Sequence, residues 1–154
     1  SQKSLVPKNE VAHMLWKPGH SMYWAFLNNY IAYPDYTNNT HLIKLIKDET
    51  FEAGGYIHSA DMDNDGMVWV SNKGVGLYKY NPYTKEIKYW TELDGLVDNH
   101  LHSIKADDNG NIWMLYFNRA GVFNPKENSF TNFNIPYSEN NFNYFNNITF
   151  LPEI

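Results

Sequence analysis

The amino-acid sequence predicts an all-β fold built from repeats, and two observations support this prediction. First, the segment YIHSADMDNDGMVW, which ends at Trp69, recurs 44 residues later in the segment that ends at Trp113. Six matched pairs keep this spacing: Ile57 with Leu101, His58 with His102, Ser59 with Ser103, Asp63 with Asp107, Gly66 with Gly110, and Trp69 with Trp113. Second, short runs of aromatic and β-branched residues follow each copy and alternate with polar residues, which is the pattern of strands.

Each repeat contains four such runs, separated by turns rich in Gly, Asn and Pro. Pro34, Pro82 and Pro125 close the third run of their repeats, and we expect each strand to end there because Pro has no ladder donor. Four short strands at a period of 44 to 45 residues are typical of β-propeller blades. No segment keeps a 3.6-residue period with helix caps, so no long helix is predicted.

The repeats divide the chain into an entry loop at residues 1–10, a divergent first blade at 11–55, a second blade at 56–99 and a third at 100–143. Residues 144–154 resemble the start of another repeat and are predicted to form the first strand of a further blade. Since propellers close with about four to eight blades, the sequence predicts an open arc that is a fragment of a larger propeller.

Composition excludes several classes of function. A net charge of −5 over 154 residues argues against a nucleic-acid partner, because phosphate binding needs clustered Lys and Arg. No apolar run approaches the roughly 20 residues of a membrane span, so no membrane contact is expected of this segment. The absence of Cys excludes a disulfide framework and thiol chemistry. No cofactor is expected.

The segment DMDNDG, from Asp61 to Gly66, invites a calcium interpretation because its carboxylates alternate as in an EF-hand loop. However, Asn72 occupies the twelfth position, where a Glu is needed, and no helices flank the loop. In the next repeat Lys105 replaces Asp61 and would repel a cation. We therefore interpret the segment as a tight turn stabilised by Asp and Gly, and no metal site is predicted.

The aromatic residues fall into two groups. Those within predicted strands are expected to fill the wedge between adjacent blades: Trp24, Trp69, Trp113, Tyr78, Tyr80, Tyr89 and Phe123. Those in predicted loops are better placed to contact a ligand: Trp16, Tyr83, Tyr116 and Phe117.

His13, His58 and His102 share one position of the repeat, near the start of the first strand of each blade. That strand lies nearest the central channel of a propeller, so two interpretations stay open: a hydrogen bond to the neighbouring blade, or contact with a ligand at the channel mouth. Three His on three blades would lie too far apart for one zinc ion. The residues predicted to meet a ligand at this end are His58, Asn72, Lys73, His102, Tyr116, Asn118 and Arg119.

The segment DGLVDNHLHSIKADDNGNIWM, followed by GVFNP, resembles the two-component regulator propeller repeat, and residues 56–92 with GLYKYNP do so as well. The first repeat lacks the Gly before Trp24 and the Gly-Leu before Tyr33. The resemblance implies the extracytoplasmic sensor region of a bacterial hybrid histidine kinase, in a family associated with sensing glycan fragments. A similar Asp-Gly-x-x-Trp pattern occurs in streptogramin-lyase-like propellers, which are enzymes.

Two functions are therefore compared. The first is a periplasmic, non-enzymatic segment that recognises a small molecule or oligosaccharide and signals to a kinase elsewhere in the parent chain. The second is a lyase- or hydrolase-type propeller that uses His58 or His102 as general base; no acid–base pair is evident in the sequence, so the first is preferred. The expected protein partner is the rest of the same propeller, or another copy bound through exposed blade flanks.

Overall fold

The computed structural model describes residues 11–26, 30–35, 39–44, 56–134 and 148–150. In these ranges it contains three four-stranded antiparallel sheets, each with its strands in sequence order. This confirms the prediction of an all-β repeat fold. The predicted entry loop at 1–10 lies outside the described residues, as does the predicted strand at 144–154 apart from residues 148–150.

The strands of each sheet follow the order of the chain. The first sheet contains β1 (Val11–Leu15), β2 (Tyr23–Phe26), β3 (Tyr30–Asp35) and β4 (Asn39–Lys44). The second contains β5 (Ile57–Met62), β6 (Val68–Asn72), β7 (Gly76–Tyr80) and β8 (Ile87–Trp90). The third contains β9 (Ser103–Ala106), β10 (Ile112–Leu115), β11 (Arg119–Asn124) and β12 (Ser129–Asn134).

The third strands end before Pro82 and Pro125, as predicted, but β3 continues past Pro34 to Asp35. Pro34 pairs with Thr40 of β4, whereas the pairing of β3 with β2 stops at Ala32. Because no β2 residue lies opposite Pro34, the missing N–H removes no ladder bond on that side. The prediction that Pro34 ends its strand was therefore wrong.

The Asp-Gly-Trp motif is a tight turn stabilised by side-chain hydrogen bonds. Asp63 Oδ1 accepts bonds from the backbone N–H groups of Asp65 and Met67 at 3.0 and 2.9 Å, and its Oδ2 accepts one from Trp69 Nε1 at 2.7 Å. Asp107 makes the equivalent bond to Trp113 Nε1 at 2.9 Å. These bonds to N–H groups support the turn interpretation of the acidic segment.

Two apolar cores lie between the sheets. One joins the first and second sheets and includes Ile31, Ile57, Tyr78 and Tyr80. The other joins the second and third sheets and includes Trp69, Leu101, Met114 and Phe123. Trp69, Tyr78, Tyr80 and Phe123 are all buried, which confirms that these strand aromatics form the core.

Two of the predicted core aromatics behave differently. Tyr89, on the outer strand β8, is 56% exposed, so its prediction as a core residue was wrong; Tyr78 covers one side of its ring at 5.8 Å. Trp113 is only half-buried: it stacks on Phe133 at 6.3 Å and meets Phe150 edge-on at 6.4 Å. The side chain of Trp24 lies outside the described residues.

Phe150 occupies a position that the repeat explains. It lies 44 residues after Ala106, and Ala106 packs in the same core as Trp69, the counterpart of Trp113. Beside Trp113, Phe150 therefore occupies the repeat position that Ala106 has in the core that contains Trp69. No helix long and apolar enough to cross a membrane occurs in the described ranges.

Candidate functional site

The first strands of the three sheets, β1, β5 and β9, are joined by histidines at one position of the repeat. His13 Nε2 donates to the carbonyl of His58 at 3.3 Å, and His58 Nδ1 donates to the carbonyl of His102 at 2.6 Å. We call this series the histidine ladder. Of the two interpretations, the structural one is confirmed for His13 and His58, whose rings link neighbouring sheets.

Side chains of β5 also bind the backbone of β9. The Ile104 N–H donates to Ser59 Oγ at 3.1 Å, and the Ala106 N–H donates to Asp61 Oδ2 at 2.9 Å. Lys105 Nζ lies 3.5 Å from the same Asp61 oxygen. Ser59 and Asp61 therefore link β5 to the backbone of β9 in the next sheet.

At the end of the blades where β5 begins, five side chains form a chain of ring and cation contacts, and two of them also belong to the histidine ladder. We call Tyr56, His58, Lys73, His102 and Phe117 the mouth cluster. Lys73 Nζ lies 5.5 Å from the centre of the Tyr56 ring, which lies 6.0 Å from that of His58. The His58 and His102 rings meet at 90° and 5.5 Å, and His102 lies 6.4 Å from Phe117.

The structure thus brings together His58, Lys73 and His102 of the predicted ligand-binding residues. Asn118 and Arg119 are exposed beside Phe117, and no hydrogen bond or ion pair joins the Arg119 side chain to another described residue.

Tyr116 and Asn72 face the protein interior instead. Tyr116 is 3% exposed, its hydroxyl lies 3.8 Å from Met114 Sδ, and burial raises its pKa to about 12. Asn72 is 2% exposed at the end of β6. These two side chains present little surface to a ligand.

Beside the mouth cluster, a groove of about 470 Å³ runs along β5 and β9. We call it the inner groove; its polar lining residues are His13, His58, Ser59, His102, Ser103 and Lys105. Imidazoles, hydroxyls and one ammonium group are suited to a polar ligand with several hydroxyl or acid groups. Among the described residues, no group of three or more acidic, His or Cys side chains could hold a metal ion.

Comparison with known proteins identifies the architecture. No protein-family model matches the sequence, and no curated protein matches it. Among solved structures, the Swd1 beta-propeller domain from Myceliophteria thermophila matches with a TM-score of 0.59 at 12% identity, over 75% of this chain and 38% of that one. The three sheets are β-propeller blades.

Two further solved structures share this fold. The extracellular domain of a hybrid two-component system from B. thetaiotaomicron matches with a TM-score of 0.67 at 19% identity, over 95% of this chain. This chain spans only 19% of that domain. A catalytically inactive histidine-to-alanine variant of virginiamycin B lyase from Staphylococcus aureus, solved with quinupristin, matches with a TM-score of 0.65 at 15% identity, over 85% of this chain and 43% of that one. The resemblance drawn from the sequence motifs is thus confirmed at the level of fold.

At the opposite end of the blades, a second series of hydrogen bonds joins the turns after the first strands. His20 Nε2 donates to the carbonyl of Asn64 at 2.9 Å, and Asn64 Nδ2 donates to the carbonyl of Asp108 at 3.4 Å. We call this series the turn ladder. Tyr83, predicted as a loop aromatic for ligand contact, lies here, with its hydroxyl 3.0 Å from His20 Nδ1.

Burial keeps two histidines of the first ladder neutral. Burial lowers the pKa of His13; its hydrogen bond to the His58 carbonyl opposes this shift, and the charge of the His58 ring adds a smaller lowering. The pKa of His102 is lowered by burial and then by the neighbouring His58 and Lys73. Near pH 7 these rings therefore act as neutral hydrogen-bonding groups, and Lys73 supplies the positive charge of the mouth cluster.

Three residues at this end of the blades were missed by the sequence analysis: Tyr56, Asp98 and His100. Asp98 Oδ1 accepts bonds from the His100 backbone N–H and from His100 Nδ1, both at 2.8 Å. Burial opposes ionisation of Asp98, but these bonds outweigh it and lower its pKa. Tyr56 and His100 are 44 residues apart, so the repeat held the signal that a ring precedes the first strands of the second and third blades.

Proposed function

We propose that this chain is a ligand-sensing segment of the extracytoplasmic region of a two-component regulator. In this proposal it recognises a carbohydrate through the mouth cluster and inner groove, and a kinase elsewhere in the parent chain receives the signal. The observation that carries the proposal is the mouth cluster itself, where an exposed ring, a cation and imidazoles meet at the start of adjacent inner strands. The likeness to the extracellular domain of a hybrid two-component system supports this assignment and a periplasmic location.

The chemistry of the cluster suits a sugar. Phe117 is 60% exposed, so its ring can take the apolar face of a pyranose by stacking. Lys73 of the mouth cluster, and Ser103 and Lys105 of the neighbouring inner groove, offer ammonium and hydroxyl donors. Because His58 is already fixed by its bond to the His102 carbonyl, much of this surface is formed before a ligand arrives.

A thermal-shift screen of oligosaccharides, followed by calorimetry with any compound that stabilises the chain, tests the proposal. Lys73→Ala, Phe117→Ala and Arg119→Ala should each weaken binding by roughly tenfold, the usual cost of losing one good contact. Lys126→Ala is the matched control, because Lys126 is exposed in the turn between β11 and β12. Affinity that stays unchanged in all three variants would reject this face as the site.

A second candidate function is an enzyme with a histidine base. The carbonyl of His102 can only accept, so His58 must carry a proton on Nδ1. Nε2 is then the ring nitrogen that is available to a substrate, and a histidine held in one orientation suits a general base. The lyase that this fold resembles is inactive in a histidine variant. Mass spectrometry of quinupristin incubated with the chain tests this candidate; product formed by wild type but not by His58→Ala would favour the enzyme.

A further inference from the structure

A second cleft, of about 570 Å³, opens between the outer parts of the second and third blades. Lys79 of β7 and Lys88 and Trp90 of β8 line one side, and Pro125 and Asn128 of the turn between β11 and β12 line the other. We call it the outer cleft. It shares no lining residue with the inner groove.

Two lysines face each other directly in this cleft. Lys79 and Lys88 are partners in the antiparallel register of β7 and β8. Like charges opposite each other in a sheet are destabilising, yet neither ammonium group forms an ion pair with a described residue. No carboxylate is among the lining residues of the cleft. The site therefore holds two unneutralised positive charges in a protein whose net charge is −5.

The lysine pair is not a general property of the repeat. The register row that contains Trp69 continues to Lys79 and Lys88 in the second blade. In the third blade the same row runs from Trp113 to Val122 and Thr131. In the first it runs from Trp24 to Ala32 and Leu42. Only the second of the three blades places cations at these positions, so folding of a blade does not require them.

The indole ring of Trp90 forms part of the wall of the cleft. Trp90 stacks on Trp69 with ring centres 5.6 Å apart, and its Nε1 donates to Asn128 Oδ1 at 3.0 Å. Lys79 Nζ lies 5.4 Å from the centre of the Trp69 ring, which holds the ammonium group in place. Beside these charges, Trp90 and Pro125 offer an apolar surface to a ligand.

We propose that the outer cleft binds an acidic saccharide, with the acid group between Lys79 and Lys88 and the sugar ring against Trp90 and Pro125. A carboxylate or sulfate placed there offsets one of the two positive charges and reduces the repulsion between the ammonium groups. A sugar supplies the apolar C–H face that the indole and proline surfaces match. The volume of the cleft lies within the range of small-molecule sites, about 300–1,000 Å³. This site does not depend on the function proposed above.

Calorimetry of the full chain with trigalacturonic acid, its neutral methyl ester and triglutamic acid tests the proposal. The acidic sugar should bind, and raising the salt concentration should weaken it, because the attraction is electrostatic. The double variant Lys79→Gln/Lys88→Gln should lose at least tenfold in affinity. Lys85→Gln, at an exposed lysine of the same blade whose ammonium lies over Tyr33, should bind within twofold of wild type.

The double variant should also fold about as stably as wild type, because the lost contact between Lys79 and the Trp69 ring offsets the repulsion that is removed; a melting curve checks this in the same samples. Equal binding of the methyl ester would overturn the assignment of an anionic group, and equal binding of triglutamic acid would overturn the assignment of a sugar. Absence of binding by wild type, or binding unchanged in the double variant, would remove the site altogether.

Discussion

The variant Asp63→Ala is the strongest single test of how the hydrogen bonds of the turn stabilise the blade. The three hydrogen bonds of the Asp63 carboxylate tie the backbone of the turn to the indole of Trp69, and Trp69 is fully buried. In Asp63→Ala the two backbone N–H groups can form hydrogen bonds with water instead, but the indole N–H stays inside the core without an acceptor. We therefore expect a large loss of stability.

The magnitude follows from these partners. A hydrogen bond to a charged group contributes about 1.5–3 kcal/mol, and a buried donor left without a partner costs about 1–3 kcal/mol. With the two backbone donors rehydrated, the expected loss for Asp63→Ala is about 3–5 kcal/mol. Asp107→Ala removes the same kind of bond to Trp113, which is only half-buried, so water can replace the carboxylate and about 1–2 kcal/mol should be lost.

Urea unfolding of the two variants, followed by tryptophan fluorescence, measures this difference. The free energy of unfolding should fall further for Asp63→Ala than for Asp107→Ala, with little change in the slope against urea. Equal losses in both variants, or a larger loss for Asp107→Ala, would refute the reasoning that burial of the indole sets the cost.

Three further predictions concern pH, glycine and association. The folded state holds the pKa values of His13 and His102 below the ordinary 6.5, so the unfolded chain binds protons at a higher pH than the folded chain does. The free energy of unfolding should therefore be highest above about pH 7 and fall as the pH drops through 6.5 towards those lowered values. Urea midpoints at pH 7.5 and 5.5 would show this difference. Gly110→Ala should lower the free energy of unfolding by about 1 kcal/mol, because Ala is strained in the left-handed backbone conformation. Gly66→Ala should lower it by about 1 kcal/mol more, because the new Cβ also meets the His20 ring. Thermal unfolding measures both losses, and equal losses would contradict the contact with His20. Since Phe133 is 43% exposed on the flank of the third blade, light scattering at micromolar concentration should give a mass above 18.0 kDa that falls in Phe133→Asp; a monomer of wild type would contradict flank-to-flank association.

The fold could be predicted from the sequence because each repeat is marked by residues that interact over short distances along the chain. The spacing of Asp63, Gly66 and Trp69 specifies a turn whose bonds span only six residues, and such local signals can be read without tertiary information. The shared position of His58 and His102 likewise predicted that both residues lie at the same end of the blades, and in the structure their rings meet at 5.5 Å.

Other features depended on which face a side chain takes. Tyr116 was treated as a loop residue, but the inward alternation of Ile112 and Met114 continues to it, a pattern that was visible in the sequence. The pairing of Lys79 with Lys88 could not be foreseen in the same way. It depends on the register that the turn between β7 and β8 imposes, and a change of one residue in that register would separate the charges.

The histidine ladder and the turn ladder have a consequence for how such a protein can gain or lose repeats in evolution. Each bond joins a residue to the backbone of its counterpart 44 or 45 residues later, so the donor half and the acceptor half of the junction are encoded by the same stretch of gene. Duplication of that stretch adds a unit that already fits both of its neighbours. Evolution can therefore lengthen or shorten the array without inventing a new junction, and each copy is then free to change at outer positions such as Lys79 and Lys88.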